Sequence, residues 1–260
     1  LRTASAPRRA PGEKRPPKAL PSFTPEDAAF IRALVIEQDS FILALNKPSG
    51  LSSQGGRGQH KTLDDLLGVF ARSNGKRPDL VHRLDRDTSG VILAAKTKPS
   101  AGFLGKAMMA RRFKKTYLAL IAAVPEPRDG VIDAPLRRDE QGREAYMRVC
   151  APEHKDAEAA LSRYRTLAVG EGAALVELTP ETGRMHQLRV HLAHIGRPIL
   201  GDVRYGGALM AAGAPVPRLM LHAKTLEFPH PEGGTKRIEA EPPEDFKAIA
   251  RAAGLAISGL

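Results

Sequence analysis

Little in this 260-residue chain suits redox, metal or membrane work. Cys150 is the only cysteine, which excludes an internal disulfide and a thiolate zinc cluster and fits a reducing compartment. No apolar run approaches the ~18 residues of a membrane-spanning helix. His186, His191, His194 and His222 do not combine with Glu or Cys at a metal-ligand spacing, so they are expected to bond to backbone or to a bound partner, with no metal. The segment from Gly201-Asp202 to Tyr205-Gly206-Gly207 lacks the GxxxxGK(S/T) pattern of a phosphate loop and reads as a structural turn. No glycine-rich cofactor loop follows an early strand, which disfavours a methyltransferase. No cofactor is expected.

Acidic residues are also in short supply, 29 against 40 Lys and Arg, for a net charge of +11. The first 22 residues hold Arg2, Arg8, Arg9, Lys14, Arg15 and Lys18 against Glu13 alone. A basic body with a more basic tail suits a polyanion such as RNA, because neutralising phosphates releases condensed counterions. The same charge could serve solubility alone. The chain begins at Leu1 rather than Met, as an incomplete or processed N-terminus would. Its first stretch lacks the apolar core of a secretory signal. The Arg, Ala and Ser content is similar to that of an organellar transit peptide, but five prolines by position 21 oppose the amphipathic helix such peptides use. Residues 1–22 therefore read as a disordered basic arm touching RNA weakly. The expected location is the cytoplasm, or an organelle matrix if the arm is a transit peptide.

Hydrophobic residues make up 42% of the chain, enough for a substantial core. Thr24-Pro25-Glu26 predicts a helix start running to about Leu34. Phe41–Leu45 reads as a buried strand closed by the turn Lys47-Pro48-Ser49-Gly50. Leu63, Leu66, Leu67 and Phe70 mark an amphipathic helix capped by Thr62. Further strands are expected at Val91–Ala95, Tyr117–Val124, Ala174–Leu178 and Leu219–His222. Helices are expected at Ala101–Ala110 and Met185–Ile195, the second closed by Gly196 and Pro198. Residues 137–148 read as a charged hairpin or flap, and 206–217 as a loop. Strands mixed with helices without βαβ regularity predict an α+β architecture. The domain limits read as an arm over 1–22, one catalytic domain over 23–250 and a tail over 251–260.

Two segments concentrate reactive residue types. His82-Arg83-Leu84-Asp85-Arg86-Asp87-Thr88-Ser89-Gly90 is a polar loop between apolar segments, where catalytic groups tend to sit. In the second, Thr182-Gly183-Arg184-Met185-His186-Gln187-Leu188-Arg189-Val190-His191, helical spacing puts Leu188, Leu192 and Ile195 on one face and His186, Arg189 and Ala193 on another. One face can bury while the other offers a guanidinium and an imidazole.

At these residues the chain closely resembles the RluA-type pseudouridine synthases. HRLDRDTSG is similar to that family's catalytic-aspartate motif. LALNKPSG, KKTYLALI, TPETGRMHQLRVHLAHIGRPILGD and LHAKTLEF match further blocks in the same order, from about Phe41 to Phe228. The resemblance implies a pseudouridine synthase fold, a central mixed and largely antiparallel sheet flanked by helices and loops. It implies Asp85 as catalytic aspartate, with Arg189 as a cation beside it and Tyr117 stacking on uracil. It also implies that Arg83 fills the gap left when the target base flips out of the RNA. His82, Arg86, Lys47, Arg184, His186, Arg111, Arg112, Lys114 and Lys115 are the further candidates for contact with RNA, Lys47 with Pro48 also shaping the turn beside the site. Asp87 is expected as a turn residue supporting Thr88 and Ser89.

A carboxylate suits the implied reaction. Isomerisation breaks the bond from ribose carbon 1′ to uracil nitrogen 1, turns the base and joins carbon 1′ to carbon 5. A carboxylate can attack carbon 1′ or take a proton from carbon 2′. The resemblance makes large-subunit ribosomal RNA the leading substrate and transfer RNA the second, with no obligate protein partner. The small N-terminal RNA-binding domain that the family often carries is not expected here, which leaves target selection to the catalytic domain, the arm and the loops. Two other readings compete. A glycosidase or base-excising glycosylase could use Asp85 and Asp87, and a non-catalytic RNA-binding or ribosome-assembly factor would share the basic surface.

Overall fold

The computed structural model describes residues 23–55, 61–142 and 144–256; the arm expected over 1–22 lies outside them. Thr24 and Asp27 cap each other's backbone amides at the start of α1 (Pro25–Ala33). Two antiparallel strands follow, β1 (Val35–Gln38) and β2 (Ile42–Lys47). The helix expected from Leu63 is shorter: α2 (Leu63–Leu66), capped by Thr62 as predicted, tightens into a 3₁₀ turn over Leu67–Phe70. β3 (Asp79–Leu80) and β4 (Ser89–Ala95) flank the HRLDRDTSG loop. α3 (Lys98–Met109) starts earlier than its apolar pattern, because Thr97 and Ser100 form a cap before it.

Lys114 and Lys115 open β5 (Lys114–Ala122). β6 (Asp129–Asp133) is followed by the expected hairpin, β7 (Leu136–Gln141) and β8 (Glu144–Val149). β9 (Leu161–Val169) and β10 (Ala173–Pro180) lead into α4 (Gln187–His194). The loop expected over 206–217 contains a minimal hairpin, β11 (Met210–Ala211) with β12 (Ala214–Pro215). β13 (Leu221–Pro229), β14 (Thr235–Glu239) and α5 (Glu244–Ala252) are the last elements among the described residues. The boundary expected at 250 falls inside α5, and Ala253 and Leu255 beyond it are buried in the core. An apolar continuation, rather than a tail, covers that end of the sheet.

One ten-stranded sheet organises the molecule in the order β1-β2-β4-β13-β5-β10-β9-β6, with β14 on β13 and β3 on β4. The architecture is α+β, as the sequence predicts. Every pairing in this sheet is antiparallel except β4 with β13. That parallel junction is short, with His222 opposite Ser89 and Ala223 opposite Gly90. It is also the seam between two apolar cores. One gathers β2 and β4 with Leu63, Leu66, Leu67 and Leu104. The other gathers β5 and β10 with Leu188, Leu192, Phe246 and Ile249. Tyr117 packs against both.

Gly90 makes the seam possible. Its φ is +116°, and a Cβ there would stand 2.2 Å from the Ala223 carbonyl oxygen. No backbone atom in a sheet can yield that far without losing its partner. Gly90→Ala is therefore expected to destabilise the protein by more than about 3 kcal/mol, read as a fall in the urea midpoint. A midpoint within error of the parent would show that the seam tolerates separation.

Candidate active site

The loop after β3 runs back along β4, the Val81 amide donating to the Leu93 carbonyl. It is pinned by the turn after β2. Lys47 Nζ and the Gly50 amide both donate to the Arg86 carbonyl, at 3.0 and 2.9 Å. Ser49 Oγ donates to the Asp87 carbonyl, and Arg86 Nε donates to the Gly50 carbonyl. Ser53 Oγ donates to the Leu84 carbonyl at 2.6 Å and accepts from the Leu84 amide. Between these fastenings, the Asp85 carbonyl accepts from Thr88 N and closes the turn. The Asp85 carboxylate itself makes no hydrogen bond within the protein among the described residues, and its side chain is 32% exposed.

Four groups from three parts of the fold feel its charge. Tyr117 on β5 is half-buried, and its phenol is pushed up first by burial and then by Asp85. His186 lies just before α4, with Nε2 4.0 Å from Asp85 Oδ2. Its imidazole is lowered by burial, opposed by the charge of Asp85. Lys47 is pulled down to about 7 by burial, opposed by the charges of Asp87 and Asp85. Arg189 on α4 is the fourth: burial works against its charge, and Asp202 and Asp85 outweigh it.

Arg189 is not the direct partner of Asp85. Its Nε and Nη2 donate to the two oxygens of Asp202 at 2.8 Å each, with both side chains buried. The same Asp202 oxygen accepts from the amides of Arg204 and Tyr205. Two carboxylate oxygens facing a planar guanidinium match the bidentate geometry that arginine favours. Tyr205 completes the network: the Arg189 guanidinium lies 5.1 Å from its ring centroid, and its hydroxyl sits 2.8 Å from His186 Nδ1. That hydroxyl accepts from the Met147 amide; with its own proton given to Nδ1, the ring proton of a neutral His186 would lie on Nε2, the side facing Asp85. The turn that the sequence marks as merely structural thus supplies Asp202 and Tyr205. Asp202 closes the block TPETGRMHQLRVHLAHIGRPILGD that resembles the family, which is the one signal for it in the sequence; Tyr205 lies outside that block and carries none.

Other expected contacts divide by burial. Lys47 has no exposed surface; its ammonium donates to the Pro48, Leu51 and Arg86 carbonyls and cannot reach RNA. His82 turns inward, Nε2 accepting from the Leu93 amide, and burial holds its imidazole well below the ordinary range. Arg184 is engaged by Glu158 at 2.6 Å and by the Ala159 carbonyl. Arg86 is exposed, with Nε on Gly50. Arg83, Arg111 and Arg112 are exposed, with no side-chain partner among the described residues. Lys114 is exposed beside Glu227. Lys115 shares the Tyr117 face of β5 and is half-buried, its ammonium pulled down by burial. Asp87 contributes its carbonyl rather than its carboxylate to the turn. Among the described residues no group of three or more His, Cys, Asp or Glu is arranged to hold a metal ion, and no helix is long and apolar enough to cross a membrane.

Similarity to known proteins names the class to which this sheet belongs. The RNA pseudouridylate synthase family matches residues 41–194. Ribosomal large subunit pseudouridine synthase C of Yersinia pestis is 38% identical over 225 residues, covering 83% of this chain and 67% of that protein. Dual-specificity RNA pseudouridine synthase RluA of Escherichia coli K12 is 39% identical, covering 82% and 94%. The solved structure of human RNA Pseudouridylate Synthase Domain Containing 4 superposes with a TM-score of 0.76 at 27% identity, covering 89% and 98%. The chain belongs to the RNA pseudouridylate synthase family. Within it, the chain is of the RluA type and has pseudouridine synthase activity.

The loop's end is also tied to a buried histidine, which makes the site's support sensitive to acid. His222 Nε2 donates to the Ala240 carbonyl, so Nδ1 accepts from Ser89 Oγ at 3.0 Å. Burial lowers this imidazole from 6.5 to about 4. Between those values the unfolded chain binds a proton that the folded one refuses, so stability falls as pH falls through the window. The loss reaches roughly 3 kcal/mol at the acid end. Urea unfolding from pH 7.5 to 4.5 should show it. His222→Asn should flatten the slope by about one proton, ~1.4 kcal/mol per pH unit; an unaltered slope would assign the acid loss to other groups.

Proposed function

We propose that Asp85 is the catalytic carboxylate, acting at carbon 1′ or carbon 2′ of a uridine flipped out of a structured RNA. The observation that carries this reading is that the Asp85 carboxylate makes no hydrogen bond among the described residues and meets only His186 at 4.0 Å, while its charge reaches Tyr117, His186, Lys47 and Arg189. The carboxylate of Asp87, also open, reaches only Lys47 of these. A group consumed by the fold would have been capped by amides or paired. Attack at carbon 1′ forms a bond from the Asp85 carboxylate as the bond to nitrogen 1 breaks. The base turns, carbon 5 attacks carbon 1′ and displaces the carboxylate, and the carbon 5 proton leaves as nitrogen 1 gains one, so the balance is that of an isomerisation.

Tyr117 offers an aromatic face for the uracil, with its phenol kept neutral. Arg189, anchored by Asp202, supplies fixed positive charge without occupying the space beside Asp85, favouring the ionised carboxylate in a closed site. His186 Nε2–H can donate to a carbonyl of the base or to Asp85 itself. Arg83, exposed and unpartnered, is free to enter the vacated base position. The proposed substrate is large-subunit ribosomal RNA first and transfer RNA second, a reading supported by relatives named for ribosomal large subunit and dual-specificity activity. The proposed compartment is the cytoplasm, in keeping with the free thiol of Cys150.

Asp85→Asn should reduce single-turnover pseudouridine formation by at least a thousand-fold, on the order of the largest effects of losing a positioned acid or base. RNA affinity and thermal stability should stay close to the parent, since the carboxylate bonds nothing in the fold. Substantial turnover by the folded variant would remove Asp85 from this role. Free uracil among the products of the parent would instead favour base excision.

A further inference from the structure

At the far end of β4 from Ser89 lies a cavity of about 360 Å³ that the proposed catalytic groups do not line. Its wall carries Arg72, Lys76, Arg77, Lys96 and Lys98 against Asp79. Three of these cations are already engaged. Arg77 pairs with Asp64 at 2.8 Å and Lys98 with Asp79 at 2.7 Å. Lys96 donates to the Asp39 carbonyl and the Gln38 amide oxygen. Arg72 and Lys76 are exposed and have no side-chain partner among the described residues. The backbone nevertheless holds them together. The Arg72 amide donates to the Lys76 carbonyl, the Gly75 amide donates to the Arg72 carbonyl, and Gly75 takes φ +75° to close the turn. The turn thus presents two exposed cations without a side-chain partner among the described residues, beside three engaged ones, a concentration of positive charge that favours an anion.

We propose that this cavity is a second anchoring point for the RNA backbone, taking a phosphate of the substrate outside the flipped nucleotide. The inference rests on the reading of the chain as an RNA-modifying enzyme. Asp79 on the cavity wall and Asp85 are six residues apart in the chain, which limits their separation to at most ~21 Å. The loop between them carries Arg83, exposed and unpartnered, on the way. A continuous RNA strand can therefore lie across both ends of this segment, whereas a free small anion would need neither the reach nor the second site.

The test is the full-length double variant Arg72→Gln/Lys76→Gln, which leaves no acid unpaired and touches none of the groups assigned to catalysis. Its affinity for a structured RNA that the parent modifies should fall roughly tenfold. The slope of log affinity against log salt should become shallower by about 0.7 to 0.9, as for one lost phosphate contact. Turnover at saturating RNA should match the parent, which separates this inference from the assignment of Asp85. On an RNA trimmed to the target loop the two proteins should bind alike. Unchanged affinity and salt slope on the long RNA would overturn the proposal. So would unchanged RNA binding with lost retention of a polyglutamate peptide, which would transfer the cavity to an acidic protein partner.

Discussion

The loop that carries Asp85 would have no fixed shape without the turn that follows β2. Backbone carbonyls of Leu84, Arg86 and Asp87 are all taken by donors from residues 47–53, so each neighbour of Asp85 is held while Asp85 is left open. Lys47 is the costly member. Burying an ammonium costs several kcal/mol, and the side chain survives at this position because three carbonyls accept its three protons. An apolar residue of similar length could fill the volume but would take the donor from the Pro48 and Leu51 carbonyls, leaving only that of Arg86 with a second one, the Gly50 amide. The lysine that resembles a nucleic-acid contact in sequence is therefore a clamp, and its charge serves Asp85 through the backbone.

The position of the site follows from the sheet. The lone parallel contact between β4 and β13 joins two halves with separate apolar cores, and antiparallel pairing continues on either side. Tyr117, Ala223 and Gly90 lie in one row across β5, β13 and β4, so the loop entering β4 is delivered beside the tyrosine. From the second half, α4 brings His186 and Arg189 to the same place. That helix is buried on nearly every side, Gln187 through Leu192 included, which is unusual for a segment with this many polar groups. Each is accounted for: Gln187 and His191 bond to Ser162, and Arg189 bonds to Asp202. Polar groups satisfied in this way fix the helix's rotation as apolar packing alone would not.

The legible part of this molecule was what depends on local sequence. Thr24, Thr62 and Gly196 end or begin helices where their chemistry predicts, and the apolar runs at Val91–Ala95 and Ala174–Leu178 are central strands. The motif loops stand out because several reactive residue types share a short segment. What the sequence conceals is pairing over distance. Arg189 reads as the counter-ion of Asp85, yet its carboxylate partner is Asp202, thirteen residues on. His186 reads as an RNA contact, yet Tyr205 aims it at Asp85. β9 alternates buried and exposed residues, but Arg163 and Arg165 on its outer face dilute the apolar pattern that would mark a strand.

Charge shows the same division more sharply. Summed over the sequence, lysines and arginines suggest an RNA-binding surface without saying which of them form it. The fold sorts them by what they already touch. Lys47, Arg184 and Arg189 are committed to carbonyls or carboxylates of the protein, and moving any of them to a phosphate would expose a partner left behind. Arg83, Arg111 and Arg112, by contrast, are exposed and have no side-chain partner among the described residues. Desolvating an unpaired surface cation against a phosphate exchanges one set of charge-assisted bonds for another and releases counterions. Breaking an internal pair to do the same must first restore the lost protein contact. Free cations are therefore the ones on which RNA affinity can be built, and the engaged ones are those on which the catalytic geometry depends.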